Sequence, residues 1–384
     1  MIGAVTEENV VDLLPYRSPL LARDGAAELP DAEASLLDAT GVAWHYGDPL
    51  GEQHAIAHQP VMVDRSHRRV LRVSGPDAAT FLNNLLSQKL IDVTAGFSAA
   101  ALDLDMQGHI LHHVDVYADG SAFYLDMPSY QARSLIDFLE RMVFWSEVTI
   151  DEADLAILTV LAPAGSGSGS STALKAVDAV DAVFTRSIPG WGRVDRFDVA
   201  VRRDDLTAAA DAFVAAGGTL AGLMAFTAER VFAGEPELRA DLDEKSIPHE
   251  APMLINRGEH IGAVHLEKGC YRGQETVARV ENLGRSPRLL ILLHLDGSAP
   301  VEPATGAQIT LGGRKVGRLG TVVHDADYGP VALALVKRSA LGGAGEVTIA
   351  GDVEVAARVD PSSLPRDEGD HAGRRAVESL RGRE

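Results

Sequence analysis

A strand that stops at a Gly-Pro pair and leads directly into a helix is the feature that most constrains how this chain folds. The stretch RVLRVSG from Arg69 alternates with the two-residue period of a β-strand and ends at Gly75-Pro76. Asp77 then suits the N-cap position of a helix with the sequence DAATFLNNLLSQ. The apolar residues of this helix fall on one face: Phe81, Leu82, Leu85 and Leu86.

The pattern continues with three strands, a second helix and two further strands. Residues 98–127 are typical of three strands joined by turns at Gln107-Gly108 and Asp119-Gly120. An amphipathic helix, YQARSLIDFLERMVF, follows them, and EVTIDE and LAILTVLA are typical of strands. This β-α-β-β-α-β order predicts an α+β fold with ferredoxin-like character. No internal repeat is evident in the sequence.

The second half of the chain ends in a different pattern. The Gly/Ser run at 165–171 predicts a flexible loop, and a strand (RFDVAVR) and a helix (LTAAADAFVAAG) follow it. From Arg288 onward, short strands separated by glycine turns predict a small β-barrel. We therefore divide the chain into an N-terminal extension (1–40), α+β modules (41–285), a barrel domain (286–360) and a disordered charged tail (361–384).

Composition narrows the class of protein. A chain of 384 residues predicts two or three domains. Its net charge of −20 disfavours direct binding to nucleic acid. The start has acids where a signal peptide needs positive charge, and we find no run of about 20 apolar residues, so we expect a cytoplasmic protein that does not enter a membrane. A single cysteine excludes an intrachain disulfide and a multi-cysteine metal site within one chain, and we predict no metal ligands.

That single cysteine, Cys270, lies in the stretch EKGCYRGQE between two glycines. If the segment is extended, period-two alternation puts Lys268, Cys270 and Arg272 on one face, where two cations would stabilise a thiolate. Gly269 and Gly273 permit positive φ and close approach of the backbone to a ligand or partner. A lone cysteine is more often a small buried hydrophobic residue, but the polar neighbours favour an exposed, reactive thiol.

KGCYRGQE resembles the signature of the YgfZ-type folate-binding proteins, which are implicated in assembly or repair of iron–sulfur clusters. These proteins are relatives of the aminomethyltransferase (T-protein) of the glycine cleavage system. The stretches HYGDPLGEQHAIAHQPVMVDRSHRRVLRVSGPDAATFLNNLLSQ and ERVFAGEPELRADLDEKSIPHEA are similar to segments of the same superfamily. The resemblance runs from about Trp44 to Lys337. It implies three modules around a central hole, with ferredoxin-like α+β modules and a small C-terminal β-barrel.

The resemblance also implies roles for particular residues. Where the aminomethyltransferases carry a pair of aspartates, this chain has His112 and His113, and Asp115 follows. Neighbours on a strand face opposite ways, so we do not expect both histidines to bind one metal. Tetrahydrofolate or a folate derivative is the implied cofactor. Its implied contacts are Arg230, Trp191, Tyr271, Gln274 and Glu275, with Cys270, Lys268 and Arg272 as the reactive group.

The function implied is a tetrahydrofolate-binding protein that assists assembly or repair of iron–sulfur clusters through Cys270. Its expected partners are iron–sulfur enzymes or assembly proteins, and effects on tRNA modification would follow indirectly. The thiol could attack a one-carbon adduct, form a mixed disulfide, or ligate a cluster shared between chains. The alternatives are a folate-dependent aminomethyltransferase or demethylase, for which loss of the aspartate pair is unfavourable, and a folate-binding scaffold whose cysteine is idle. Whether the chain turns over a substrate stays open at this point.

Overall fold

A computed structural model describes residues 16–167, 171–283, 285–342 and 345–364. The predicted charged tail lies outside these ranges except for residues 361–364, and so do residues 168–170 of the Gly/Ser run. Among the described residues, no helix is both long and apolar enough to cross a bilayer.

A short helix and a short strand precede the first complete sheet. They are α1 (Pro49–Ala55) and β1 (Val61–Asp64). Asp48 caps α1 by accepting a hydrogen bond from the amide of Gly51, and Pro49 occupies the first helical position, which needs no amide donor. Ahead of them, Leu20 and Ala39 are already buried, so residues within the predicted extension contribute to the cores.

The first sheet is antiparallel and is covered by two helices. Its elements are β2 (Arg69–Ser74), α2 (Ala78–Leu85), β3 (Ser98–Leu104), β4 (Ile110–Ala118), β5 (Ala122–Met127), α3 (Ser129–Met142) and β6 (Thr149–Ala153). The strand order is β3-β4-β5-β2-β6, so β4, β5, β2 and β6 have the ferredoxin-like arrangement and β3 is added at the edge. The strands and helices predicted over this region are confirmed. Asp77 occupies the N-cap position of α2 as predicted, but its carboxylate accepts a hydrogen bond from the amide of Glu147 rather than from an amide of the helix.

The second sheet has the same order of connections, with one inserted strand, β1, that precedes the first sheet in the chain. Its elements are β7 (Leu155–Pro163), α4 (Thr172–Asp178), β8 (Phe184–Ile188), β9 (Val194–Arg202), α5 (Leu206–Ala215) and β10 (Thr219–Ala221). The order is β10-β1-β7-β9-β8, in which β1 pairs antiparallel with β7 and parallel with β10. The chain therefore contains two ferredoxin-like units that share no evident sequence repeat.

Three helices and a closed barrel complete the fold. The helices are α6 (Leu223–Ala233), α7 (Leu238–Asp241) and α8 (Gln274–Leu283). The barrel strands are β11 (Arg288–Leu295), β12 (Gln308–Leu311), β13 (Arg314–Asp325), β14 (Gly329–Lys337), β15 (Glu346–Ile349) and β16 (Val355–Val359), closed in the order β11-β14-β13-β12-β15-β16. The predicted α+β class and the predicted barrel are both confirmed.

The barrel has an apolar interior and an apolar outer wall. Leu289, Ile291 and Leu293 face the interior, whereas the alternate residues Leu290 and Leu292 pack outward with α6 and the segment before α8. This two-sided burial explains why β11 reads as a continuous apolar run rather than an alternating strand. The barrel is therefore bound to the rest of the chain by a shared hydrophobic core.

Candidate functional site

The only cysteine lies on the surface. Cys270 is a free, exposed thiol in an irregular loop between the second half of the α+β region and α8. The loop is not extended, so the alternation expected for residues 268, 270 and 272 does not apply. The exposed thiol agrees with the expectation of an accessible sulfur.

Lys268 points into the protein rather than toward the thiol. Its side chain is buried, and its ammonium donates hydrogen bonds to the backbone carbonyls of Asn83 and Leu86 at the end of α2. The ammonium also lies 4.8 Å from the centroid of the Tyr271 ring. Burial lowers the pKa of Lys268 to about 8. Lys268 thus anchors the loop to α2.

Arg272 is likewise committed elsewhere. Its guanidinium donates to Asp103 of β3 over 2.5 Å and stacks 4.3 Å from the ring centroid of Phe138 on α3. Neither cation forms a hydrogen bond with Cys270 among the described residues. The expectation that Lys268 and Arg272 flank the thiol is therefore wrong, because each satisfies its charge against a carbonyl or carboxylate of the first module.

The remaining residues of the octapeptide support the loop. Gly273 has φ of +80°, and a Cβ there would lie 2.5 Å from the carbonyl oxygen of Asp105, so only glycine fits against the β3–β4 turn. Tyr271 is buried in the core shared with the barrel, and burial raises its pKa to about 12. Gln274 donates to the carbonyl of Lys268 over 3.4 Å, whereas Glu275 is exposed in the first turn of α8.

Two cavities lie between the modules and share part of their walls. One is about 620 Å³ and the other about 490 Å³. Three polar side chains line both: His113 and Asp115 of β4, and Glu235 after α6. These residues stand where the two cavities adjoin, and the two cavities together are called the central channel below.

Unpartnered polar atoms line the larger cavity. The Nδ1 atom of His67, the Nε2 atom of His113 and the Nε2 atom of Gln131 are buried and have no hydrogen-bond partner. The Gln131 amide is oriented by its carbonyl oxygen, which accepts the backbone N–H of His113 over 2.8 Å. Because buried polar groups normally find partners, three orphaned atoms in one cavity indicate a site built for a polar ligand.

Of the five predicted folate contacts, only Arg230 lines one of these cavities. Its guanidinium is already bonded to the carboxylate of Asp241, the carbonyl of Glu235 and the hydroxyl of Thr321. These contacts tie α6 and α7 to the barrel. Arg230 therefore shapes the wall of the channel.

Trp191 lies behind the channel wall. It is 3% exposed, and its ring packs 5.1 Å from Phe226 and 4.8 Å from the guanidinium of Arg196. Its faces are covered, so it does not offer the open stacking surface that we expected. Its indole N–H instead donates to the Glu235 carboxylate over 2.7 Å, which fixes that carboxylate at the channel junction.

A buried network of charges joins the two sheets beside the channel. Asp198 of β9 accepts from Arg186 and from Arg196, both over 2.9 Å. Asp126 of the first sheet binds Arg186 and also Arg68, at 2.6 Å from the latter. Burial opposes ionisation of Asp198, but the arginines outweigh it and lower the pKa of Asp198 well below its ordinary value. The network therefore remains charged.

Asp115 belongs to the same network. Its carboxylate lies 3.2 Å from Arg68, 3.7 Å from Arg186 and 3.8 Å from Arg196. Burial raises the pKa of Asp115, but these three guanidinium groups outweigh it and lower the pKa below its ordinary value. Burial lowers the pKa of the neighbouring His113, so its imidazole stays neutral. The channel junction thus combines a fixed carboxylate with a neutral ring.

The two adjacent histidines face opposite sides of β4, as the strand period predicts. His113 faces the channel, whereas His112 bonds through Nδ1 to Asp103 over 2.8 Å on the other side of the sheet. The sequence reasoning did not identify His67, Gln131 or the channel position of Glu235. The only signal was weak: Gln131 interrupts the apolar face of α3, and Glu235 lies in a Gly-Glu-Pro loop.

Comparisons with known proteins agree with this architecture. Residues 288–363 match the family described as CAF17, C-terminal beta-barrel domain. The chain is 24% identical over 365 residues to a putative chloroplastic transferase of Arabidopsis thaliana, covering 90% of this chain and 78% of that protein. It is 29% identical over 286 residues to the mitochondrial iron-sulfur cluster assembly factor IBA57 of Homo sapiens, covering 70% of this chain and 75% of that protein.

A solved structure matches the fold along nearly the whole chain. The glycine cleavage system aminomethyltransferase T from Bartonella henselae superposes with a TM-score of 0.70 at 18% identity, covering 90% of this chain and 96% of that one. The resemblance that the octapeptide and its flanking segments indicated is therefore confirmed. The chain is thus similar in sequence to an iron-sulfur cluster assembly factor and in fold to an aminomethyltransferase, and it carries a C-terminal barrel of the CAF17 type.

Proposed function

We propose that this protein assists assembly or repair of iron–sulfur clusters in target enzymes through the Cys270 thiol. The likeness to a human protein named as an iron–sulfur cluster assembly factor supports this role. The observation that carries it is the setting of the thiol. Cys270 is exposed and unpartnered, while Lys268 and Arg272 on either side are bonded to the first module.

An anchored loop with a free thiol suits transfer of a thiol-bound group from one protein to another. The anchors hold the sulfur at a defined place on the surface, so docking a partner orders little additional backbone. One thiol supplies one cluster ligand, so a cluster bound here is shared with a partner, a second copy or a small thiol. A mixed disulfide with a partner and attack on a one-carbon adduct are the other two reactions open to this sulfur.

We further propose that tetrahydrofolate or a folate derivative binds in the central channel. The residues fit such a ligand: Glu235 accepts from N–H groups, and the orphaned atoms of His67, His113 and Gln131 suit the polar edge of a pterin. Folate supplies a carrier for one-carbon groups when it is bound. Arg230 and Trp191 would act on the ligand by holding the wall and the Glu235 carboxylate in place.

An aminomethyltransferase or demethylase is the second candidate, and the fold match favours it. The ionisation state of Asp115, the only channel carboxylate on β4, counts against this activity. Asp115 is held by three arginines, which lower its pKa, so it accepts a proton poorly at neutral pH. An aminomethyltransferase or demethylase would turn over a methylamine donor with tetrahydrofolate. We rank this activity second because Asp115 is a poor proton acceptor.

The central test is complementation of a deletion strain. Cys270→Ser should abolish rescue of iron–sulfur enzyme activity and leave the thermal unfolding midpoint unchanged, because the side chain makes no hydrogen bond among the described residues. Ser298→Ala, at an exposed serine on the barrel, is the matched control and should rescue fully. Full rescue by Cys270→Ser would refute the role of the thiol.

The ligand proposal has its own test. Glu235→Gln should weaken binding of tetrahydrofolate at least about ten-fold, as expected when a charged hydrogen-bond acceptor is lost. A titration repeated after alkylation of Cys270 then measures whether thiol and channel are coupled. Unchanged binding by Glu235→Gln would contradict the channel site. A cytoplasmic location, indirect effects on tRNA modification and the absence of direct nucleic-acid binding remain predictions from the sequence.

A further inference from the structure

We propose that Ser134, His112 and Asp103 form a nucleophile, base and positioning acid that cleave small acyl esters or thioesters. The Oγ atom of Ser134 lies 2.8 Å from Nε2 of His112, and Nδ1 of His112 lies 2.8 Å from Oδ2 of Asp103. This arrangement has the order of contacts that activates a serine in hydrolases of unrelated folds.

The fold holds the three residues together by regular pairing. Asp103 and His112 are directly opposite each other in the β3–β4 ladder, so their side chains share one face of the sheet. Helix α3 carries Ser134 to this pair. Of the three residues, Asp103 and His112 are buried, whereas Ser134 is exposed to solvent. A substrate therefore meets the hydroxyl first.

The carboxylate is itself fixed. Its second oxygen, Oδ1, accepts from Arg272 over 2.5 Å, which leaves Oδ2 for the imidazole. With Asp103 accepting the Nδ1 proton, Nε2 of His112 is free to accept the proton of the Ser134 hydroxyl. Asp103 is thus a positioning residue that selects the tautomer.

An open groove of about 1380 Å³ lies over the serine and the histidine. Apolar side chains line much of it: Ile110, Leu111, Leu238 and Leu242. Charged side chains of both signs also line it: Arg239, Lys245, Asp243 and Glu244. An apolar surface of this kind suits a short acyl chain.

Two hydrogen-bond donors precede Ser134 on α3. The hydroxyl of Tyr130 and Nε2 of Gln131 are both buried, and both residues line the groove. They precede Ser134 by four and three positions, which puts all three on one face of α3. Such donors can stabilise the oxyanion that forms when a hydroxyl attacks a carbonyl.

The reaction balances without a cofactor. The Ser134 oxygen bonds to the acyl carbon, its proton passes to Nε2 of His112, and the bond from the acyl carbon to the leaving oxygen or sulfur breaks. The imidazolium returns the proton to that leaving group, giving an alcohol or thiol. Water then attacks the acyl-serine through the same base and releases a carboxylic acid.

A serine inside a helix often donates to a carbonyl one turn earlier, and Ser134 Oγ lies 3.0 Å from the carbonyl of Gln131. A hydroxyl that donates to that carbonyl alone would be inert toward electrophiles. Covalent labelling therefore separates an activated serine from a helix-bonded one.

The test uses the full-length protein with a fluorophosphonate probe and with 4-nitrophenyl butyrate. We expect labelling at Ser134, identified by peptide mass spectrometry, and its complete loss in Ser134→Ala. His112→Gln should slow labelling and ester cleavage by roughly 100-fold or more and remove their pH dependence. Asp103→Asn should change that pH dependence, which a merely structural role would not do.

The matched control is Ser298→Ala, which removes an exposed hydroxyl whose hydrogen bond is to Asp296 rather than to a histidine. It should label and cleave as the unmodified protein does. Ser134→Ala should also fold normally, since alanine is the better helix former at an exposed helical position. Labelling of Ser134 no faster than of Ser298, or ester cleavage unchanged in both Ser134→Ala and His112→Gln, would overturn the proposal.

Discussion

Arg272 on the thiol loop donates a hydrogen bond to Asp103 in β3 over 2.5 Å, and that aspartate also binds His112. The loop that presents Cys270 is thereby fastened to the first sheet by a charged pair whose carboxylate is fully buried. This pair links the surface thiol to the interior of the first module.

Arg272→Gln should lower the free energy of unfolding by about 1–3 kcal/mol, because it leaves Asp103 with one partner fewer in a buried position. Urea unfolding at neutral pH measures the change. The control is Arg133→Ala, whose guanidinium pairs with Asp137 at 88% exposure and should contribute less than about 0.5 kcal/mol. Equal losses of unfolding free energy in the two variants would show that the Arg272–Asp103 pair does not anchor the loop.

The thiol should be alkylated to completion in the folded protein, because Cys270 is exposed. The rate should change less than about three-fold in Arg272→Gln, since Arg272 is bonded to Asp103 and not to the sulfur. Iodoacetamide modification followed by intact-mass measurement gives the rate. A ten-fold or greater decrease in that variant would mean that the guanidinium stabilises the thiolate after all.

Glu237 in the wall of the larger cavity should make stability depend on pH. Burial raises the pKa of Glu237 to about 7, with Arg230 opposing the shift. Between an unfolded value near 4.5 and about 7 the folded state holds a proton that the unfolded state has lost, so stability falls as the pH rises. Above about 7 that contribution is lost.

Glu237→Gln cannot titrate, so its free energy of unfolding relative to the unmodified protein should increase by about 1–3 kcal/mol from pH 5 to pH 8. Urea unfolding at several pH values measures it. Glu346→Gln changes an exposed carboxylate and serves as the control. A difference that stays constant across this range would contradict the buried, proton-holding state of Glu237.

Asp198→Asn should be severely destabilising, by about 3–5 kcal/mol, because it removes the carboxylate that both buried cations, Arg186 and Arg196, contact at 2.9 Å. Chemical denaturation and near-ultraviolet circular dichroism report the loss. Asp154→Asn breaks an ion pair of an aspartate that is 77% exposed and should be nearly silent. If Asp198→Asn lowered stability only slightly, the network would not be what holds the two sheets together.

Local patterns predicted much of the first module. The alternation at Arg69 and the apolar stripe of α3 are set by residues within one element, so β2, α3 and the β3–β5 strands follow from the sequence. Strand β1 carries the same kind of apolar run, but its place between β7 and β10 depends on contacts more than 90 residues away. Topology of that kind leaves no local signature.

The site was less predictable than the fold. The exposure of Cys270 followed from its polar neighbours, whereas the directions of Lys268 and Arg272 did not, because an irregular loop has no side-chain period. The acceptors of Lys268 are carbonyls, which any residue provides, so composition cannot reveal them. Channel residues such as His67 and Glu235 come from separate modules and meet only after folding.

Strand β1 precedes the first sheet in the chain and yet completes the second. A cut anywhere between the two ferredoxin-like units therefore strips one unit of an inner strand and leaves the edges of β7 and β10 open. The halves cannot be expressed as autonomous fragments or exchanged between relatives as contiguous blocks.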